Sequence, residues 1–180
     1  MALSKIERLK KYIALKHHIA NIVRRTIKSD EGEIIQGERS VEAQVANKYK
    51  KPTRDYDAYS PKPKQSAEET ERELDWEFGG DYFRTKPAIH KGTYKVVSNI
   101  DDESYADYTK PTEPTPNKRI GDNKYTTLQF ELRKAKRTLA QKQYAYRHEK
   151  ERNKVKRITG ALKHQFKNPK NLKGKRMRWV

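Results

Sequence analysis

The chain has 180 residues, 37% of them charged, no cysteine and a formal net charge of +18. Leu, Ile, Val and Phe number only 31, a share below the roughly 20% under which high charge signals disorder, so a large aliphatic core is excluded. With no Cys there are no disulfides, thiolate metal sites or cysteine nucleophiles, and no apolar run reaches the ~20 residues that cross a bilayer.

The predicted elements, in chain order, form four regions. Residues 1–30 read as an amphipathic docking helix over 4–28, opened by the capping-box pair Ser4 and Glu7. Its apolar stripe of Ile6, Leu9, Ile13 and Val23, with Ile19 beside it, is assigned to a protein partner. Residues 31–65 hold a short helix over 41–49 and a proline-bearing extended connector, on which Tyr56 and Tyr59 are surface anchors. Residues 66–125 begin with an acidic helix, SAEETERELDWEF, that offers Leu74, Trp76 and Phe78 to a partner pocket before Gly79-Gly80 stops it. A small hairpin pairing 82–84 with 93–97 is the one sheet expected, and 98–124 read as loop. Residues 126–180 read as one long basic helix over about 127–166, roughly 60 Å at 1.5 Å per residue, followed by a basic arm. The fold class expected is therefore mainly α, extended and non-compact, with long irregular connectors.

Charge is divided along that plan. Residues 133–178 carry 18 Lys and Arg against two acids, residues 1–28 carry eight against one, and the middle is net acidic. Like charges at i and i+4 repel on a helix, and phosphates turn that cost into attraction. The nucleic-acid contacts expected are Arg133, Lys134, Arg137, Arg147, Arg152, Lys156, Arg157, Lys163, Lys167, Lys175, Arg176 and Arg178. The sequence shows none of the familiar base-reading motifs, so contact is expected at the backbone of DNA or RNA, without sequence specificity.

Catalytic signals are sparse in this reading. His17, His18, His90, His148 and His164 stand in no metal-ligand spacing, and the eight glycines form no phosphate-cradling loop. Asp101, Asp102 and Glu103 are the one tract considered for Mg²⁺, without a second ordered carboxylate to complete it. No catalytic residue, metal or cofactor is assigned, and no enzymatic activity is expected. The function expected is a structural or assembly component of a large nucleic-acid-containing particle, within a virion or otherwise intracellular. A capsid, portal-region or internal virion protein is preferred, bound to nucleic acid and to scaffold proteins and not to a membrane. A ribosomal or other ribonucleoprotein component is the alternative; further rivals are a Mg-dependent nucleic-acid-processing enzyme and a free DNA-binding regulator.

Overall fold

The computed structural model describes residues 5–53 and 55–167, with side chains from residue 14 to residue 166 apart from residue 54. A seven-stranded mixed sheet organises them, and helices pack on both of its faces. In chain order the elements are α1 (Lys5–Thr26), β1 (Ile34–Gln36), α2 (Gly37–Glu42), β2 (Tyr56–Tyr59), α3 (Pro63–Phe78), β3 (Phe83–Pro87), β4 (Thr93–Ser98) and β5 (Ser104–Thr109). They continue with β6 (Asn117–Ile120), β7 (Asn123–Thr126), α4 (Leu128–Ala140) and α5 (His148–Lys167). The strand order is β3-β4-β5-β2-β1-β7-β6, with β2 parallel to β5 and β1 parallel to β7. The extended mainly-α expectation is thus wrong, and the physical reason lies in tyrosine.

Counting aliphatic residues and Phe misses the Tyr and Ala that fill this core. Tyr56, Ala58, Tyr105, Ala106, Tyr108 and Tyr125 are buried in it together with Ile35 and Val96. The Tyr108 hydroxyl lies 2.7 Å from the Thr70 hydroxyl, which is itself 2.9 Å from that of Thr26, so the buried phenol has a polar partner. Burial pushes that phenol above its ordinary range.

Helices α1 and α3 cover this face. Ile19, Ile22 and Val23 of α1, and Ile27 just after it, are all at most 3% exposed, packed within the chain. Each such burial is worth about 1.5–3 kcal/mol, which accounts for α1 docking on its own sheet and not on a partner. Leu74 is likewise buried in this core, and Phe78 is half-buried, in edge contact with His18 and tilted against Phe83. The assignments of Ile19, Val23, Leu74 and Phe78 to a partner are therefore corrected: their partner is intramolecular. Ile6, Leu9 and Ile13 have side chains outside the described residues. Trp76 remains exposed at 77%.

Helix α3 starts at Pro63, three residues before the expected cap, because proline is pre-organised for a first helical turn. Ser66, expected as the cap, is buried inside it with its hydroxyl 2.7 Å from that of Ser60. At the other end Gly79 takes the left-handed conformation, φ 69°, and closes the helix.

The single 60 Å rod does not form. Thr127 caps α4 by accepting from the Phe130 amide at 3.2 Å, and Gln141 breaks the helix at φ −103°, ψ 111°. A 3-10 turn, Lys142–Arg147, then leads into α5, which packs back on α4. Leu128, Ile158 and Ala161 close a second small core with Val41 and Val45. The all-polar run 147–154 begins at the last residue of this turn and forms the start of α5, and there the apolar register shifts. Among the described residues no helix is long and apolar enough to cross a membrane.

Candidate active site

Strand β2 alternates strictly: Tyr56 and Ala58 enter the core, so Asp57 and Tyr59 take the opposite face of the sheet. In β5, Ala106 and Tyr108 enter the same core and Asp107 faces away. Strand pairing aligns these polar positions. Gln36 of β1 opposes Asp57, Asp57 opposes Asp107 across the parallel β2/β5 pair, Asp107 opposes Lys95 of β4, and Lys95 opposes Lys86 of β3. One row of side chains thus crosses five strands, with two carboxylates at its centre. Asp55, in the bend just before β2, brings a third carboxylate whose charge acts on Asp57, with one oxygen accepting from Thr53 Oγ1 at 2.8 Å.

Asp57 is held in its neutral form more strongly than an ordinary aspartate. Burial raises the Asp57 carboxyl to about 6, and the neighbouring Asp55 and Asp107 charges push in the same direction, against the pull of Lys134 and Lys154. Lys134, projecting from α4, binds the Gln36 side-chain oxygen and lies 3.3 Å from the Tyr59 hydroxyl, with its ammonium 5.3 Å from the Tyr59 ring centre. Burial alone would lower its pKa; Glu131, Tyr59 and Asp57 outweigh that and raise it, so it stays charged. Lys134 belongs to this site and not to an open phosphate-facing helix.

Gly37 makes the close approach to Asp57 possible. Its φ is +69°, and a Cβ there would stand 2.6 Å from Asp57 Oδ2, so only glycine fits. The Gly37 amide donates to Glu131 Oε1 at 3.0 Å; the Thr126 hydroxyl donates to the same oxygen at 2.8 Å and Lys154 Nζ to Oε2 at 2.5 Å. Glu131 is fully buried and would be raised by that burial, yet Lys154 and Lys134 hold it below its ordinary range. Helices α4 and α5 thus pin the turn that touches Asp57. Ser40, buried beside it, donates to the Thr126 carbonyl at 2.7 Å and fixes α2 on β7.

Aspartate oxygens are the hard donors that Mg²⁺ and Mn²⁺ take, and crowded carboxylates gain most from such a cation. Asp55 and Asp57 fit this chemistry. Asp107 is engaged at both oxygens, accepting from Ser104 Oγ at 2.7 Å and from Lys95 Nζ at 2.9 Å. Among the described residues no three His, Asp or Glu side chains stand in metal-holding geometry.

The sequence reading missed this site. Its Mg²⁺ tract lies elsewhere: Asp102, at φ 57° in the turn before β5, is paired with Arg84 at 2.5 Å and Lys86 at 2.6 Å. The signal available was the alternating run DYDAY, with both aspartates on one parity and Tyr56 and Ala58 on the other; SYADYT alternates only from Ala106 on, because buried Tyr105 shares the parity of Asp107.

Several expected phosphate contacts are already paired within the chain. Arg157 binds Glu38 and the Tyr49 carbonyl, Arg147 binds Glu151 at 3.1 Å, and exposed Arg137 binds Glu113 at 2.9 Å. Arg133 is exposed and lies over the Phe130 ring. Arg152, Lys156 and Lys163 are exposed along α5. The Lys167 side chain and all of Lys175, Arg176 and Arg178 lie outside the described residues.

No model of a known protein family matches the chain, and no curated protein matches it in sequence. Among solved structures it is similar to the crystal structure of the Megavirus polyadenylate synthase, with a TM-score of 0.68 and 19% identity over 88% of this chain. The match spans 36% of that protein, so the chain covers little more than a third of its length. At this identity the likeness is one of fold. It corrects the expectation of a non-enzymatic virion or assembly component, because the fold found here is one that an enzyme carries.

Proposed function

We propose that this chain is a divalent-cation-dependent nucleotidyltransferase that adds nucleotides to a polynucleotide end, with RNA as the acceptor. The observation that carries the reading is the pair Asp57 and Asp107, in register on adjacent parallel strands, with the Asp55 charge close by in the bend before β2. The fold likeness to a polyadenylate synthase supports the choice of reaction and acceptor.

In the reaction, an acceptor hydroxyl oxygen forms a bond to the α-phosphorus of a nucleoside triphosphate. The α–β phosphoanhydride bond breaks, and pyrophosphate leaves with the electron pair. The hydroxyl proton passes to the carboxylate row, where burial and like charge raise the affinity of Asp57 for a proton. Asp55, Asp57 and Asp107 would hold the cation, whose role is to polarise the phosphoryl oxygen and stabilise the attacking and leaving oxygens. Lys134 supplies a fixed positive charge beside the phosphates, and Gly37 leaves room for the approach to Asp57. The exposed Arg152, Lys156 and Lys163 of α5, with Arg133 on α4, are the proposed contacts to the acceptor backbone.

Incubation of the purified full chain with Mn²⁺ or Mg²⁺, radiolabelled ATP and a single-stranded oligoribonucleotide tests this. Product lengthening that disappears in Asp57→Asn, while the variant melts as a folded protein, is the expected result. No lengthening with any of the four ribonucleotides contradicts the reading.

A further inference from the structure

Resting on the reading of Asp55, Asp57 and Asp107 as a cation site, we infer that Lys95 is a substrate-positioning residue. It holds Asp107 while the site lacks its cation, and on release it binds a phosphate of the nucleotide. The geometry supplies each part of this. Lys95 Nζ lies 2.9 Å from Asp107 Oδ2, and Ser104 takes the other oxygen, so the third carboxylate of the row is closed by its own strand and its neighbour. Lys95 and Asp107 are direct cross-strand partners on the face that carries Asp57.

Lys95 also opposes Lys86 across β3 and β4, a like-charge juxtaposition that is unfavourable by itself. Lys86 has its own anion in Asp102, which it binds at 2.6 and 2.8 Å. Asp107 is thus the carboxylate that neutralises Lys95. Once a divalent cation binds Asp107, the Lys95 ammonium faces that cation on one side and Lys86 on the other, and both repel it. A flexible four-carbon stem lets it swing without moving the strand. The nearest new anion is then a phosphate of the cation-bound nucleotide. Lys134 stands on the opposite flank of Asp57, so the two ammonium groups would grip the polyphosphate from both sides of the carboxylates. Lys95 forms no covalent bond in this role.

Titration of Mn²⁺ alone into the full chain, followed by the electron paramagnetic resonance signal of free Mn²⁺, reads the first half. Lys95→Met should bind Mn²⁺ about tenfold more tightly than wild type, because a competing positive charge is removed. Fluorescence titration with a labelled ATP analogue at saturating Mn²⁺ reads the second half. There Lys95→Met should bind several-fold more weakly than wild type, and Lys95→Arg should restore most of the loss. Lys95→Gln serves as a second variant should the Met side chain perturb the sheet, with melting curves run on each. Equal or weaker Mn²⁺ binding in both neutral variants, or unchanged nucleotide binding, overturns the role given to Lys95. Mn²⁺ binding that is indifferent to Asp57→Asn overturns the cation site beneath it as well.

Discussion

Asp57 is held where a carboxylate is costly, and its titration makes this measurable. Its folded pKa of about 6 is above that of an unfolded aspartate, so the folded state binds the proton more tightly. The group's stabilising contribution is therefore complete below the unfolded value, near 4, and is lost as pH rises through about 6. Asp57→Asn removes that loss. Thermal melts should show the variant more stable than wild type at pH 7, by on the order of 2 kcal/mol, and nearly equal to it at pH 4. A variant less stable at pH 7 would show that Asp57 serves the fold and not the chemistry. Gly37 gives the complementary case. Gly37→Ala should cost about 1–2 kcal/mol, because φ is positive and the added methyl meets the Asp57 carboxylate. Transfer should fall by more than that loss of stability explains, as a steady-state comparison of kcat and KM at a temperature well below the melt would read.

At the scale of elements, the α4–α5 hairpin is fastened to the site through one buried ion pair. Removing one member of such a pair strands the other charge, at about 3–5 kcal/mol. Lys154→Met should therefore lower chemical-denaturation stability by about 3 kcal/mol. Adding Glu131→Gln should recover about 2 kcal/mol, since a neutral amide oxygen still accepts from the Gly37 amide and Thr126. No recovery in the double variant would place the cost in packing and not in the stranded charge. Helices were the more legible elements. The 3.6-residue spacing of Ile19, Val23 and Ile27, and of Leu128, Leu132 and Ala135, located α1 and the start of α4, whereas the short helix expected over 41–49 lies at Gly37–Glu42. Among the strands, the hairpin expected between 82–84 and 93–97 is found as β3 and β4, with Phe83 opposite Ser98 and Arg84 opposite Val97; the strands that carry the site were not legible. The longest has six residues, and DYDAY sits among Pro52, Pro61 and Pro63, whose connector signal outweighed a period-2 alternation of only five residues. The site depends on pairing β2 with β5 some fifty positions later, a contact that local periodicity does not encode. A break at Gln141, where the apolar pattern continues to Tyr146, was equally hidden, because the return of α5 is fixed by the tertiary pair Lys154–Glu131.

For the whole molecule, charge and fold divide the work. High charge with few aliphatic residues signals disorder by composition, yet the chain folds around a sheet. Internal pairs such as Lys28–Glu69, Arg157–Glu38 and Lys154–Glu131 engage part of the 42 Lys and Arg, and tyrosine supplies the core that aliphatic residues do not. The excess of 18 positive charges is not offset by any acid of the chain and is open to a polyanion. Replacing Arg152, Lys156 and Lys163 together by alanine should weaken oligoribonucleotide binding and flatten its salt dependence by up to about two in log–log slope. Fluorescence anisotropy across a series of salt concentrations measures it, and an unchanged slope would remove α5 from the acceptor path.

On the proposed function, the aspartates of β2 and β5 form one cation site for nucleotide transfer. Anomalous scattering from crystals of the full chain grown with Mn²⁺ and a non-hydrolysable ATP analogue would locate that cation. A manganese peak is expected between Asp57 and Asp107, with the α-phosphate of the analogue beside it and Lys95 turned away from Asp107. A nucleotide bound elsewhere, or an Asp57–Asp107 row that stays metal-free with Lys95 still on Asp107, would contradict it.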